Sequence, residues 1–139
     1  MIEVRKLEKR DALQVADLVK QLTQNIVEPE NLIQRLEEMA EPKDYQYFVA
    51  VKEGRVIGFA GLAWYPIPSK GLTGWIEEVV VDKEHRGQGA GQALMANLLE
   101  LAQKLSLSQV KLTTADPVAL HIYEKCGFMK KDEQLLVKK

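Results

Sequence analysis

Apolar and polar residues alternate along Ile2–Leu7, the period of a half-buried strand. From Asp11 to Leu22 the period lengthens to that of a helix, with Ala12, Leu13, Ala16, Val19 and Leu22 at helical spacing and Asp11 placed to cap the start. A second, short helix is predicted from Pro29, a good first-turn residue, with Leu32, Ile33 and Leu36 turned inward. Two β-rich runs follow, Tyr45–Lys52 and Arg55–Tyr65, joined by Glu53-Gly54 as a hairpin turn. Pro66–Thr73 holds two prolines and Gly71 and reads as a loop. Gly74–Asp82 is the strongest strand of the chain. Its three successive valines, Val79, Val80 and Val81, imply burial on both faces and therefore a central strand. The glycine-rich stretch Gly87–Gly91 opens a long helix that runs to about Leu105 and buries Leu94, Leu98, Ala102 and Leu105. Gln109–Thr114 is a further strand, Val118–Lys125 a short helix stopped by Gly127, and Glu133–Val137 a last strand.

The order β-α-α-β-β-β-α-β-α-β predicts an α/β fold, a mixed sheet with helices on both faces. The 139 residues suit one domain spanning 1–139. A net charge of -1 shows no basic excess, which argues against nucleic acid as a partner. No apolar run is long enough to span a membrane. Met1 leads into a strand pattern without an apolar leader, and the one cysteine, Cys126, has no partner for an internal disulfide, so a cytoplasmic setting is expected. No set of Cys, His and acidic residues has metal-ligand spacing, so no metal is expected.

The stretch with most chemical content runs from Val79 through Asp82, His85 and Arg86 to Gly87-Gln88-Gly89-Ala90-Gly91-Gln92. A strand ends there and glycines lead into a helix. Unpaired N–H groups and the helix dipole make such a start an anion site, and glycine lets phosphate oxygens approach the backbone. The spacing Gly87-x-Gly89-x-Gly91 does not fit the dinucleotide fingerprint G-x-G-x-x-G, and no Lys-Ser or Lys-Thr pair completes a P-loop.

Arg86-x-x-Gly89-x-Gly91 resembles the R/Q-x-x-G-x-G/A signature of the GNAT acetyltransferases. A second stretch is similar to that family's N-x-x-A-x-x-x-Y-E-K-x-G-F pattern, matching at Ala119, Tyr123, Glu124, Lys125, Gly127 and Phe128. The resemblance implies a central, mostly antiparallel sheet and acetyl-CoA as co-substrate. It implies that the backbone of Val79, Val80 and Val81 holds the pantetheine arm, that Arg86–Gln92 cradles the pyrophosphate, and that Asp116 and Tyr123 lie at the cofactor. Asp116 stands where the family often has Asn; an ionised Asp can only accept hydrogen bonds, which changes the contact expected there. A homodimer, common in the family, is also expected.

Transfer of an acetyl group to an amine needs a neutral nucleophile, and a primary amine with a pKa near ~10 is protonated at neutral pH. A base must accept that proton. Glu77 and Glu78 are the candidates. In a regular strand they point to opposite faces, so only one faces the reacting group unless a bulge intervenes. The thiolate leaving group calls for a donor, and the resemblance implies Tyr123. A backbone N–H at Val79 or Val80 is placed for the oxyanion. His85 reads as a solvated turn residue, His121 as packing or exposed, and Cys126 as a core filler. Trp64, Tyr65 and Trp75 flank the Pro66–Thr73 loop and either line the acceptor site or pack on the sheet.

The segment Gly74–Asp82 is locally similar to the G-H-[IV]-E-D-V-V-V stretch of glucosamine-6-phosphate N-acetyltransferases, with Trp75 in place of His and Glu78 in place of Asp. Two acids at the reacting centre suit a cationic amine. A small-molecule amine is the favoured acceptor; the alternatives are a protein lysine or N-terminus, or a non-catalytic acetyl-CoA sensor.

Overall fold

A computed structural model describes residues 1–139. Five strands form one sheet in sequence order: β1 (Ile2–Lys6), β2 (Tyr45–Lys52), β3 (Arg55–Ile67), β4 (Gly71–Val81) and β5 (Gln109–Lys111). β1 to β4 pair antiparallel, and β5 joins β4 in parallel. The helices are α1 (Ala12–Leu22), α2 (Leu32–Met39), α3 (Ala90–Lys104) and α4 (Pro117–Lys125). The mixed sheet with helices on both faces is thus the observed architecture. No helix is long and apolar enough to cross a membrane.

Alternation along the strands sends side chains into two cores. Tyr47, Val49, Phe59 and Val80 meet Val15, Val19, Leu32 and Leu36 from α1 and α2. Phe48, Ala50, Ile57, Ala60, Leu62 and Ile76 meet Leu94, Met95, Leu98 and Ala102 from α3. The valine run behaves as its composition requires: Val80 enters the first core, while Val79 and Val81 pack on the second.

Several expectations need correction. Pro66–Thr73 is not a loop, because β3 extends to Ile67 and β4 begins at Gly71, leaving only a tight turn between them. β4 is not fully central: β5 covers it only at Thr73, Gly74 and Trp75. β5 itself ends at Lys111, short of the expected Thr114. Glu133–Val137 forms no strand, and Leu135, Leu136 and Val137 are exposed. Ile33 is exposed because it lies on the outer side of α2, whose inner side is set by Leu32 and Leu36. Leu105 is only half-buried, as it closes α3 rather than lying within it. Asp11 does precede α1, but its carboxylate turns away from the helix to accept from the Arg5 guanidinium at 2.8 and 2.9 Å and from the Glu8 N–H at 2.8 Å.

Candidate active site

The short pairing of β5 decides the shape of the site. Beyond Trp75 the second edge of β4 has no strand beside it, so the two parallel strands part. The gap is a cleft of about 270 Å³ lined by Ile76, Glu77, Glu78 and Val79 on one side and by Leu112, Thr113, Thr114, Asp116, Ala119 and Tyr123 on the other.

A β-bulge places the acids. Gly61 pairs with Glu77 and Phe59 with Val80, so Ala60 alone faces both Glu78 and Val79. The extra residue is accommodated by Glu78 in the left-handed region, at φ 56°. For a side chain with a Cβ this costs about 1–2 kcal/mol, and strain of this kind gathers at functional sites. The bulge breaks the alternation that would have separated the two acids, and both line the cleft. Partial burial there raises the pKa of each carboxyl, and the charge of Glu78 adds to the effect on Glu77. Tyr47 lies behind them. Its ring covers Gly61, where a Cβ would come within 2.2 Å of it, and stacks on Phe59 at 5.1 Å. Burial first, then the charges of Glu77 and Glu78, push its phenol up to about 12.

Across the cleft, Tyr123 sits on α4 and meets Phe128 edge to face at 6.1 Å. Burial and then the neighbouring Asp116 raise its pKa, so it keeps its proton well into the alkaline range. Asp116 caps α4, its Oδ1 accepting from the Val118 N–H at 3.0 Å. That bond commits one carboxylate oxygen to the helix.

At the far end of β4 lies the glycine loop. Gly87 and Gly89 have φ of 79° and 92°, and a Cβ at either would meet only open space. The N–H groups of Gly87, Gln88 and Gly89 make no hydrogen bond within the chain, and those of Ala90, Gly91 and Gln92 open the first turn of α3. This array, with Arg86 exposed beside it, fits a pyrophosphate. The fold anchors the loop from behind. Asp82, buried at the end of β4, accepts from the Glu84 N–H at 3.3 Å, from Gln21 Nε2 at 3.3 Å and meets His85 Nδ1 at 3.0 Å. Gln21 Oε1 in turn accepts from the Lys83 N–H at 3.0 Å. Lys52 Nζ donates to Gln88 Oε1 at 2.7 Å.

The amino-acid pattern could not show this support: Gln21 and Asp82 are 61 residues apart and neither has a distinctive context. Tyr47 was hidden in the same way, as one aromatic in a β-rich run. Two readings of single residues change. His85 is bound to Asp82 rather than solvated, and Cys126 is exposed rather than filling the core, because α4 buries none of its residues fully. The three aromatics divide between the faces: Trp64 packs on the α3 side, whereas Trp75 Nε1 donates to the Tyr65 hydroxyl at 2.9 Å on the other.

Residues 12–128 match the model of the Acetyltransferase (GNAT) family. The chain belongs to the GNAT family. It is 37% identical over 84 residues to the glucosamine 6-phosphate N-acetyltransferase of Trypanosoma brucei brucei, covering 59% of this chain and 56% of that protein. To an amino-acid acetyltransferase of Aliivibrio fischeri it is 30% identical over 130 residues, 94% of this chain but 27% of the relative. The chain thus spans about half the length of the first relative and about a quarter of the second. Among solved structures, a Trypanosoma brucei acetyltransferase superposes with a TM-score of 0.85 at 29% identity over 100% of both chains. In this GNAT chain the motif Ala119–Phe128 gives Ala119 and Tyr123 to the cleft wall opposite β4, and the motif Arg86–Gln92 lies past the end of β4.

Proposed function

We propose that the chain is an N-acetyltransferase that moves acetyl from acetyl-CoA to the primary amine of a small molecule by direct attack. The observation that carries this reading is the convergence of Glu77, Glu78 and Tyr123 on one cleft at the parting of β4 and β5, with the glycine loop at the end of the same strand. The carboxylates stand on the β4 wall, where either can take a proton from an ammonium, directly or through a water. Their raised pKa values bring them nearer to neutrality and make them better bases than a free Glu. Tyr123 on the other wall holds the proton that the departing thiolate needs. The edge of β4 that β5 leaves bare would take the pantetheine arm along Val79–Val81, and an N–H at Val79 or Val80 would serve the oxyanion. The relatives' names support a small acceptor, being enzymes of glucosamine 6-phosphate and of amino acids.

The test is thermal unfolding with acetyl-CoA, CoA, NAD and ATP, followed by thiol release across an amine panel. Ligand at 100 times its Kd adds about 2.7 kcal/mol of stability. A rise in Tm with both CoA species and not with NAD or ATP, then turnover of small amines, is expected. A rise with NAD or ATP alone rejects the assignment. Binding without any turnover favours a sensor.

A further inference from the structure

The α1/α2 face of the sheet carries one cation in an unusual position. Val110 and Leu112 turn toward the α3 core, so Lys111 between them points to the α1/α2 side. Ile76 likewise turns toward α3, which sends Trp75 and Glu77 to that same side. Lys111 pairs in register with Trp75, and its Nζ lies 5.5 Å from the centroid of the indole ring. The ring is itself held by its bond to Tyr65. Lys111 is half-buried and takes part in none of the six ion pairs of the chain. The only lysine in the nearby turn, Lys70, is exposed. A fixed, unneutralised ammonium thus stands across an aromatic surface from the carboxylate that lines the cleft.

We propose that Lys111 sets acceptor specificity, and that the acceptor is a primary amine bearing a distal anionic group, a phosphate ester or carboxylate. This inference rests on the acetyltransferase reading. The amine goes to the acids of the cleft, the body of the acceptor lies over Trp75, and the anion meets Lys111. The strand geometry sets the span. Lys111 is one strand over from Trp75 and Glu77 two residues along, which separates the two backbone positions by about 8 Å. An anion adjacent to the amine, as in an α-amino acid, lies against Glu77 and Glu78 instead and is repelled. Lysine acts here as a point charge, for which phosphate and carboxylate are equivalent in kind.

Steady-state thiol release from acetyl-CoA tests this with matched acceptors: glucosamine against glucosamine 6-phosphate, 6-aminohexanol against 6-aminohexanoate, and alanine as the close-anion control. The expected result is a kcat/KM at least tenfold higher for the anionic member of one or both pairs, with alanine poor. The two pairs separate phosphate from carboxylate. Lys111→Gln collapses the ratio within the preferred pair through KM, and Lys111→Arg restores it. Equal kcat/KM within both pairs, or a ratio unchanged by Lys111→Gln, overturns the proposal, as does efficient use of alanine. If none of these acceptors turns over while acetyl-CoA still raises Tm and other amines react, this inference falls and the acetyltransferase reading stands. If CoA species give no shift, that reading falls first.

Discussion

Glu77 and Glu78 are one residue apart, yet they serve one cleft because Glu78 accepts a backbone conformation that side chains with a Cβ avoid. Their raised pKa values carry a consequence for stability. A group whose pKa is higher in the folded chain than in the unfolded one contributes stability below its unfolded pKa and loses it as pH rises through the folded value. Near neutrality each carboxylate therefore opposes folding. Glu77→Gln and Glu78→Gln are expected to raise Tm at about pH 8 and to match the parent near about pH 3, where the acids are protonated in both states. Whichever of the two is the base also lowers kcat by about a hundredfold or more when replaced, with acetyl-CoA affinity within twofold. A kcat equal to the parent's in both variants removes the base role. Tyr123→Phe keeps the ring against Phe128 and deletes only the donor. Tm is expected to hold while kcat falls by about a hundredfold; full activity dismisses the acid role.

The short turn after β4 shows how an element acquires its position. Its glycines supply the conformations, but the carboxylate of Asp82 fixes where they stand. Burial works against that charge; the Glu84 N–H, Gln21 and His85 outweigh it and hold the Asp82 pKa below its ordinary value. Its contribution is present above the unfolded carboxyl range and is lost as pH falls through the folded pKa. Asp82→Ala is expected to lose about 1 kcal/mol at neutral pH, as for a lost cap, and to flatten the acid limb of the stability curve below about pH 4. Because the loop is released while Glu77, Glu78 and Tyr123 are untouched, the KM for acetyl-CoA rises and kcat stays close to the parent's. An unchanged KM shows that the loop is held without Asp82.

At the scale of the whole molecule, α3 joins the loop to the core. Leu94 and Leu98 are fully buried against Ile57, Ala60 and Leu62 of the sheet. Leu98→Ala is expected to cost about 2–5 kcal/mol through lost contacts and the cavity left behind, read by denaturant unfolding. Saturating acetyl-CoA then adds the same increment to this variant as to the parent, because the glycine loop at the start of α3 lies about two helical turns from the cavity. A smaller increment means that the packing of α3 shapes the loop directly.

Periodicity alone located four helices and all five observed strands, since each of those segments carries its own pattern of apolar residues and its own stops. The glycine loop and the Tyr123 helix were equally legible, because their conformations demand particular residue types in fixed order. The missed features all depend on what lies beside a segment. Glu133–Val137 ends in three apolar residues yet pairs with no strand, and Cys126 is small and apolar but sits at the end of a helix that buries little. No local pattern announces the bulge at Glu78, the early end of β5 or the bond between Gln21 and Asp82. These arise when strands of unequal length are packed between two helical layers. Residue order thus specifies which groups are present along the chain, and packing decides that two acids and a tyrosine meet at one parting of the sheet.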